Sequence, residues 1–441
     1  MEKMENCLIH INQSRSSQQT PWFLFLSVGM ITSLILLINV SFKVITFQGL
    51  VFATSSLLCP LITGLYLLAL RNCTFREQRH LLNISLVTLY IYCIGVYVLV
   101  NLPAAEFMHD NPVYQIVFED IPKKFFATTI SFCLSFYLPH QLFCTRTTHV
   151  LSSPKQCVIL ALFGGVGFFS IDFYLLFSAP HAHSFRQVFI DSLMIASLLL
   201  LVFGVSYLSF LLYNKHQLLM VPREQHEDTG SLIYHCLLCL AIAVILMCLA
   251  CEYRIVAFTK DSILAASCIF FPVTMIISAV IGELWGYKAN LQLAVALIAA
   301  QLIFDTLLMG VVALPSPSFY NLNPFYYYIL PRGLPAATLS LCVTFFTNAM
   351  LLHYLKYLKW GLNRSCRVLI ASISASSLLC LVDYSLLFGG IYPYEQILNL
   401  ALNVWQYKLL MCFVSLPIIL GLCTRLQKNY ALVLPERIRL Q

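Results

Sequence analysis

The chain has 441 residues, of which 60% are hydrophobic and 10% are charged, and its mean hydropathy is +0.82. A typical soluble domain carries roughly 45–50% apolar and 25% charged residues, so this composition excludes a water-soluble globular protein. The net charge of +7 does not indicate a nucleic-acid partner. Basic residues collect in the cytoplasmic loops of multi-pass membrane proteins, and the pattern described below accounts for the charge in that way.

Apolar segments long enough to cross a bilayer recur along the whole chain. A transmembrane helix needs about 20 such residues. The sequence predicts twelve spans, which in chain order lie near 22–42, 48–70, 81–103, 125–145, 156–178, 187–213, 231–252, 262–285, 289–313, 334–355, 366–390 and 399–423.

The distribution of basic residues predicts the orientation of these spans. With the N-terminus inside, 18 of the 26 Lys and Arg residues fall in cytoplasmic segments and seven in external loops, while Lys408 falls inside a span. Both termini are therefore expected to be cytoplasmic. The predicted fold class is an all-α polytopic membrane protein of about twelve helices, N-in and C-in.

Related segments recur about 211 residues apart. Asp172 and Asp383 are 211 positions apart, Pro60 and Pro272 are 212 apart, and the stretch NPVYQIVF returns as NPFYYYIL. Such a repeat predicts two six-span halves that run parallel in the membrane. The predicted organisation is a polar tail over 1–20, repeat one over 21–213, a cytoplasmic linker over 214–231, repeat two over 232–425 and a basic tail over 426–441.

Motifs for metal binding, nucleotide hydrolysis or catalysis are not found. Span seven carries two Cys-x-x-Cys pairs, which begin at Cys236 and Cys248, beside His235. On a helix these pairs lie about 18 Å apart, too far to share one tetrahedral zinc ion. No P-loop, H-E-x-x-H or G-x-S-x-G motif occurs. The sequence therefore predicts no metal, no cofactor and no catalytic residues.

Ionisable residues inside the spans are the first candidates for function, because each costs about 2.5–3.5 kcal/mol to insert. Glu283 lies in FFPVTMIISAVIGELWGYK with Thr274 and Trp285. A carboxylate beside an indole can bind and stack on a planar heterocycle. The alternative is that Glu283 reaches cytoplasmic water and Trp285 belongs to the aromatic belt.

A second pair of candidates lies in the last two spans. Asp383 and Lys408 occur on adjacent antiparallel helices, so they can meet, either as a structural ion pair or around a substrate or a proton. Asp172 recurs without a matching lysine, since Ser197 holds that place, and it is expected to have a local backbone or hydroxyl partner. Asn348 in span ten either contacts substrate or joins two helices through a hydrogen bond.

Repeat two resembles the vitamin uptake transporter family, whose members include six-span bacterial queuosine precursor transporters. The family signature, roughly FPLTYxxxDxxxExYG, reads FPVTMIISAVIGELWG here, with Ala279 in the place of the Asp. The resemblance covers about residues 255–425. Repeat one resembles a degenerate copy in which Leu67 and Arg71 replace both acids. The residues that match substrate-binding positions of the family are Thr274, Glu283, Trp285, Arg332, Asn348, Asp383 and Lys408.

The resemblance implies a transporter of the bacterial inner membrane that takes up a queuosine precursor, a 7-deazaguanine base, or a similar small heterocycle or vitamin. Its partners would be that solute, the bilayer and either protons or another coupling ion. Fusion of two halves would make it a pseudo-twofold monomer or part of a higher oligomer. Two alternatives stay open, a twelve-span permease of the major facilitator type and a degenerate paralogue that transports nothing.

Overall fold

The structure is a computed structural model. The residues it describes are 21–41, 43–103, 121–143, 154–177, 185–213, 229–251, 254–259, 262–317, 323–357, 362–389 and 393–430. The predicted tail over 1–20, most of the predicted linker and the end of the basic tail lie outside these ranges.

Helices dominate the first half of the chain. The elements are α1 (Pro21–Val40), β1 (Val44–Phe47), β2 (Leu50–Ala53), α2 (Ser55–Asn72), α3 (Phe75–Val100), α4 (Ile121–Phe132), a π-helical segment (Cys133–Tyr137), α5 (Leu138–Phe143), α6 (Pro154–Phe177) and α7 (Phe185–Tyr213).

The elements of the second half follow in a similar order. This half consists of α8 (Thr229–Ala250), β3 (Ile255–Thr259), β4 (Ser262–Ala265), α9 (Ser267–Leu284), α10 (Tyr287–Ala313), α11 (Asn323–Lys356), α12 (Arg364–Leu387) and α13 (Tyr394–Tyr430).

The chain is an all-α polytopic membrane protein, as its composition predicted. Within the described ranges, eleven helices are long and apolar enough to cross a membrane. The segment predicted to span near 125–145 is divided into α4, the π-helical segment and α5, and none of these pieces alone has the length of a span. Pro139 explains the interruption, because it lacks the N–H that would bond to the Ser135 carbonyl.

A short β-hairpin precedes a proline-containing helix in each half. In the first hairpin, Phe47 pairs with Leu50, and the two residues between them have positive φ (48° for Gln48 and 86° for Gly49), as a type I′ turn requires. In the second, β3 and β4 are antiparallel with an irregularity near Ala257. The helices that follow, α2 and α9, have 18 residues each. The hairpins connect helix ends without entering a larger sheet.

A buried cation next to each hairpin binds the C-terminal end of a helix from the other half of the sequence. Lys43 donates through Nζ to the carbonyls of Val312 and Leu314, both at 3.1 Å, at the end of α10. Arg254 donates to the carbonyls of Val100, at the end of α3, and Leu102, at 2.5 and 2.7 Å. The last carbonyls of a helix lack intrahelical partners, so a cation there satisfies them and complements the helix dipole.

The helices form two compact units, and each unit contains segments of both halves of the sequence. Unit 1 consists of Met1–Tyr90, Asp120–Cys239 and Gly310–Leu322. Unit 2 consists of Ile91–Glu119, Leu240–Met309 and Asn323–Gln441. The contacts of Lys43 lie within unit 1, and those of Arg254 lie within unit 2.

Candidate functional site

The candidate site lies in unit 2 around Lys408, where α9, α11, α12 and α13 pack together. Lys408 is near the middle of α13 and is only 4% exposed. Its Nζ atom lies 4.8 Å from the ring centroid of Phe271 on α9, a distance suited to a cation–π interaction. Phe271 directly precedes Pro272, which cannot donate a backbone hydrogen bond within α9. A buried ammonium is therefore held against an aromatic ring beside a break in the helical hydrogen bonding.

Asp383 faces the same space as Lys408. Both line a small cavity of about 30 Å³, here called the central cavity, and the other members of its lining include Cys248, Cys268, Ser340 and Leu341. Ser340 lies beside Asp383 in this lining, and its hydroxyl donates to the Ala337 carbonyl at 3.1 Å. The Oδ1 atom of Asp383 is buried and has no hydrogen-bond partner. Because an unpaired buried carboxylate oxygen is costly, this atom is available to accept a bond from a bound molecule.

A second cavity lies on the other side of Lys408 and Phe271. This distal cavity is small, about 10 Å³, and Phe271 and Lys408 belong to its lining as well as to that of the central cavity. Its polar lining comes from hydroxyl groups of α12 and α13, and its other members are apolar or sulfur-containing. Those residues are Pro272, Met275, Ser372, Ser376, Met411, Cys412, Ser415 and Ile419.

Aromatic and thiol groups close the central cavity on the side of the second hairpin. The sulfur of Cys268 lies 2.8 Å from the Tyr384 hydroxyl. The Tyr384 ring stacks on Phe388, with centroids 5.8 Å apart. The sequence alone predicted no site role for Cys268 or Phe388. No spacing signal could have found them, because apolar and aromatic residues fill most positions of these spans.

Glu283 lies away from this cavity, at the end of α9, and is already paired. Its carboxylate accepts hydrogen bonds from Arg367 Nε at 2.8 Å and Nη2 at 2.6 Å, and Arg364 Nε lies 3.3 Å away. Glu283 is 2% exposed, so it does not stand in open cytoplasmic water as one alternative supposed. Trp285 caps α9 and is partly buried, and Gly286 follows with φ of 85°, as a helix C-terminus favours.

Asn348 belongs to a third polar cluster, which joins α9, α10 and α11. Asn348 Nδ2 donates to the Ser278 hydroxyl at 2.9 Å, and Ser278 donates to Asn290 Oδ1 at 2.8 Å. The remaining polar atoms, Asn348 Oδ1 and Asn290 Nδ2, are buried without partners. The interhelical hydrogen bond that one alternative expected for Asn348 is therefore present, and the cluster keeps one acceptor and one donor unused.

Thr274 and Arg332 are two further residues of the predicted site. Thr274 is buried on α9 and its hydroxyl donates to the Phe271 carbonyl at 2.6 Å. This bond lies in the stretch where Pro272 interrupts the backbone ladder. Arg332 lies within α11, but its side chain is outside the described part of the chain. The structure thus brings Asp383 and Lys408 together at one cavity, while Glu283 and Asn348 lie in other clusters.

Asp172 in unit 1 has hydroxyl partners, as the sequence predicted, but they lie on another helix, and its Oδ2 atom is buried without a partner. It is fully buried and accepts a hydrogen bond from Thr128 at 3.0 Å, with the Ser131 hydroxyl 3.4 Å away. Thr128 and Ser340 are 212 positions apart, so the two carboxylates have hydroxyl neighbours at corresponding places.

The histidine of span seven forms a hydrogen-bonded chain in unit 1. His235 contacts His80 at 3.0 Å and Ser27 at 2.9 Å, and the Cys239 sulfur lies 3.6 Å from its ring. Among the described residues, no group of three or more His, Cys, Asp or Glu side chains could hold a metal ion.

Comparison with known protein families matched a segment that includes the residues of the candidate site. Residues 265–422 match the family model described as "Putative vitamin uptake transporter". Searches of curated proteins and of solved structures found no match.

The matched segment runs from the end of β4 through most of α13 and includes Phe271, Asp383 and Lys408. It lies entirely within the second of the two halves that the sequence predicted. On this match, residues 265–422 are similar to the vitamin uptake transporter family.

Proposed function

We propose that this membrane protein takes up a small planar heterocycle, specifically a queuosine precursor of the 7-deazaguanine class, across the bacterial inner membrane. The family match supports a transporter of vitamin-like molecules. The observation that carries the choice of site is the unpartnered Oδ1 oxygen of Asp383, buried in a cavity that it shares with Lys408.

The chemistry of the central cavity suits such a base. A 7-deazaguanine presents amide and amino N–H groups on one edge, which a carboxylate accepts well, and it carries a ring carbonyl that an ammonium can bind. Asp383 supplies the acceptor and Lys408 the donor. Phe271, beside the ammonium, adds an aromatic face against which a planar ring can stack. An apolar cavity with a few converging polar groups is the usual form of a small-molecule site.

The other predicted site residues enter the proposal in supporting roles. Glu283 is engaged by Arg367, so we assign it to holding α9 against α12 and not to first contact with the solute. The Oδ1 atom of Asn348 has no partner, so it can accept a hydrogen bond from a solute or water molecule that passes α11. Thr274 and Trp285 do not line the central cavity, and Arg332 remains a predicted site residue.

Coupling to protons fits the same residues. A carboxylate that shares a cavity with an ammonium can bind and release a proton when the solute changes the local charge. Asp383 is the proposed carrier. Facilitated entry, driven by consumption of the solute inside the cell, requires no such step.

The proposal is tested in a bacterium that lacks both queuosine synthesis and its own precursor transporter. The chain is expressed there, limiting 7-deazaguanine precursor is fed, and queuosine in transfer RNA is measured. We expect the wild-type chain to restore queuosine, and Asp383→Asn and Lys408→Met each to reduce the rate of uptake at least about tenfold, equivalent to 1.4 kcal/mol.

A matched control separates loss of the site from loss of a buried charge. Asp305 on α10 is also buried, and it accepts a bond from Gln301 at 2.6 Å without lining the central cavity. Asp305→Asn should retain uptake. If the wild-type chain inserts in the membrane and restores no queuosine, the substrate assignment is wrong, and another heterocycle or a non-transporting paralogue takes its place.

A further inference from the structure

Three cavities follow one another along unit 2. Besides the central and distal cavities, a third cavity of about 370 Å³ lies at the second hairpin. This hairpin-side cavity is mostly apolar, with two amide side chains. Its lining includes Ile255, Ile263, Phe388, Gln396, Asn399 and Leu400.

Along α12 and α13, the cavities follow one another in the same order. On α13, residues 396–400 line the hairpin-side cavity, 408 the central one and 411–419 the distal one. On α12, which runs the opposite way, the central cavity is lined by 379 and 383 and the distal one by 372 and 376. The run from Leu400 to Ile419 covers about 28 Å of helix. This is close to the hydrocarbon thickness of about 30 Å.

Pairs of side chains separate the cavities. Phe271 and Lys408 line both the central and the distal cavity, and their cation–π contact lies between the two. Phe345 packs against the other side of Phe271, with ring centroids 6.2 Å apart. Towards the hairpin, Phe388 lines the hairpin-side cavity and stacks on Tyr384, whose hydroxyl contacts Cys268 of the central cavity.

We propose that the three cavities form the permeation path of unit 2, with Phe271–Lys408 as the distal gate and Phe388–Tyr384 as the hairpin-side gate. This inference rests on the proposed transport function. A solute carbonyl in the central cavity competes with the Phe271 ring for the Lys408 ammonium. Binding of the solute therefore weakens the contact that closes the distal side, which couples occupancy of the site to opening of its gate.

Native cysteines report on this path without engineered thiols. Cys268 lines the central cavity and Cys412 the distal cavity. Cys366 is exposed near the start of α12, so it marks the distal face of the membrane. Cys423, also on α13, is buried and belongs to none of the three linings, so it serves as an internal control.

The experiment treats right-side-out and inside-out vesicles with a small, charged, membrane-impermeant methanethiosulfonate and measures the labelling of each cysteine by mass spectrometry. The face from which Cys366 reacts is the distal face. From that face, the reagent should label Cys412 of the wild-type chain. It should label Cys268 at a rate at least tenfold lower. Phe271→Ala should raise labelling of Cys268 from the distal face at least tenfold and leave its rate from the hairpin face unchanged.

Matched variants guard against a general loosening of the fold. Phe388→Ala should have the opposite effect and raise labelling of Cys268 from the hairpin face only. Phe270→Ala alters the neighbouring phenylalanine, which lines none of the three cavities, and should change neither rate. If Phe271→Ala does not fold, Phe271→Leu removes the ring with less loss of volume and should give a smaller increase from the same face.

Three results would overturn the path. The first is a Cys268 labelling rate that rises equally from both faces in Phe271→Ala. The second is an unchanged Cys268 labelling rate in Phe271→Ala when that variant still elutes as a single species. The third is a Cys412 that is labelled faster from the hairpin face. Because labelling needs no solute, these results are independent of the uptake assay. If the labelling is as expected but queuosine is not restored, the substrate assignment is wrong and the path stands. If queuosine is restored but the labelling is not as expected, only the path is wrong.

Discussion

At the scale of single residues, Lys408 and Asp383 place opposite charges in one cavity inside the membrane. Removing one of two buried charges leaves the other without compensation and costs about 3 kcal/mol or more, whereas removing both is often nearly neutral. We therefore expect Asp383→Asn and Lys408→Met each to lower the thermal unfolding temperature. The double variant should recover much of that stability while uptake stays lost. Unfolding followed by dye binding in detergent measures the first effect, and the queuosine assay measures the second.

A merely structural ion pair would behave differently in the same experiment. If stability and uptake both return in the double variant, the two residues hold the helices together and do not contact solute. Asp305→Asn, again the control, should change stability without abolishing uptake.

Glu283 and Arg367 make a second, separate pair at the end of α9. The two-point contact between carboxylate and guanidinium has distances of 2.6 and 2.8 Å, and the Glu283 side chain is 2% exposed while that of Arg367 is 14% exposed. We expect Glu283→Gln and Arg367→Met to destabilise the protein by similar amounts, about 2–3 kcal/mol, with a coupling energy of more than 1 kcal/mol in a double-mutant cycle. Additive effects would contradict the pairing and would return Glu283 to the substrate-binding residues.

At the scale of elements, the two buried cations beside the hairpins stabilise the ends of α10 and α3. A hydrogen bond that involves a charged group contributes about 1.5–3 kcal/mol. Lys43→Met and Arg254→Met should each lower stability by an amount in that range, because they leave carbonyls at a helix end without partners. Lys288, which is exposed at the start of α10, is the control, and Lys288→Met should change stability by less than about 0.5 kcal/mol. Thermal unfolding in detergent compares the three variants, and equal effects at all three positions would refute the capping role.

At the scale of the whole molecule, neither half of the sequence contains a complete unit. Unit 1 includes Gly310–Leu322 from the second half, and unit 2 includes Ile91–Glu119 from the first. We predict that a chain divided between 214 and 228 yields no monodisperse protein from either half alone. The two halves expressed together should copurify and restore uptake. A second half that elutes as a single species on its own would show that the matched segment folds independently.

The apolar runs in the sequence determined that the chain is an all-α membrane protein, and the family signature predicts that its site lies in the second half. These features are local, since the length and hydropathy of a segment decide whether it spans a bilayer. The meeting of Asp383 and Lys408 could be expected because their spans are adjacent in the chain. The twofold organisation remains a prediction, supported by hairpins and helices that correspond at offsets of 211–212 residues.

Only the tertiary structure decided which polar groups are already satisfied. Sequence cannot show that Glu283 is held by Arg367, 84 positions away, or that Lys43 binds carbonyls 268 to 271 positions away. The physical reason is that every residue has a backbone carbonyl, so the residue type does not show which carbonyl will accept a hydrogen bond. Packing alone brings distant helix ends beside a cation. The same holds for Phe271, Tyr384 and Cys268, whose significance comes from the cavities they separate and not from any pattern along the chain.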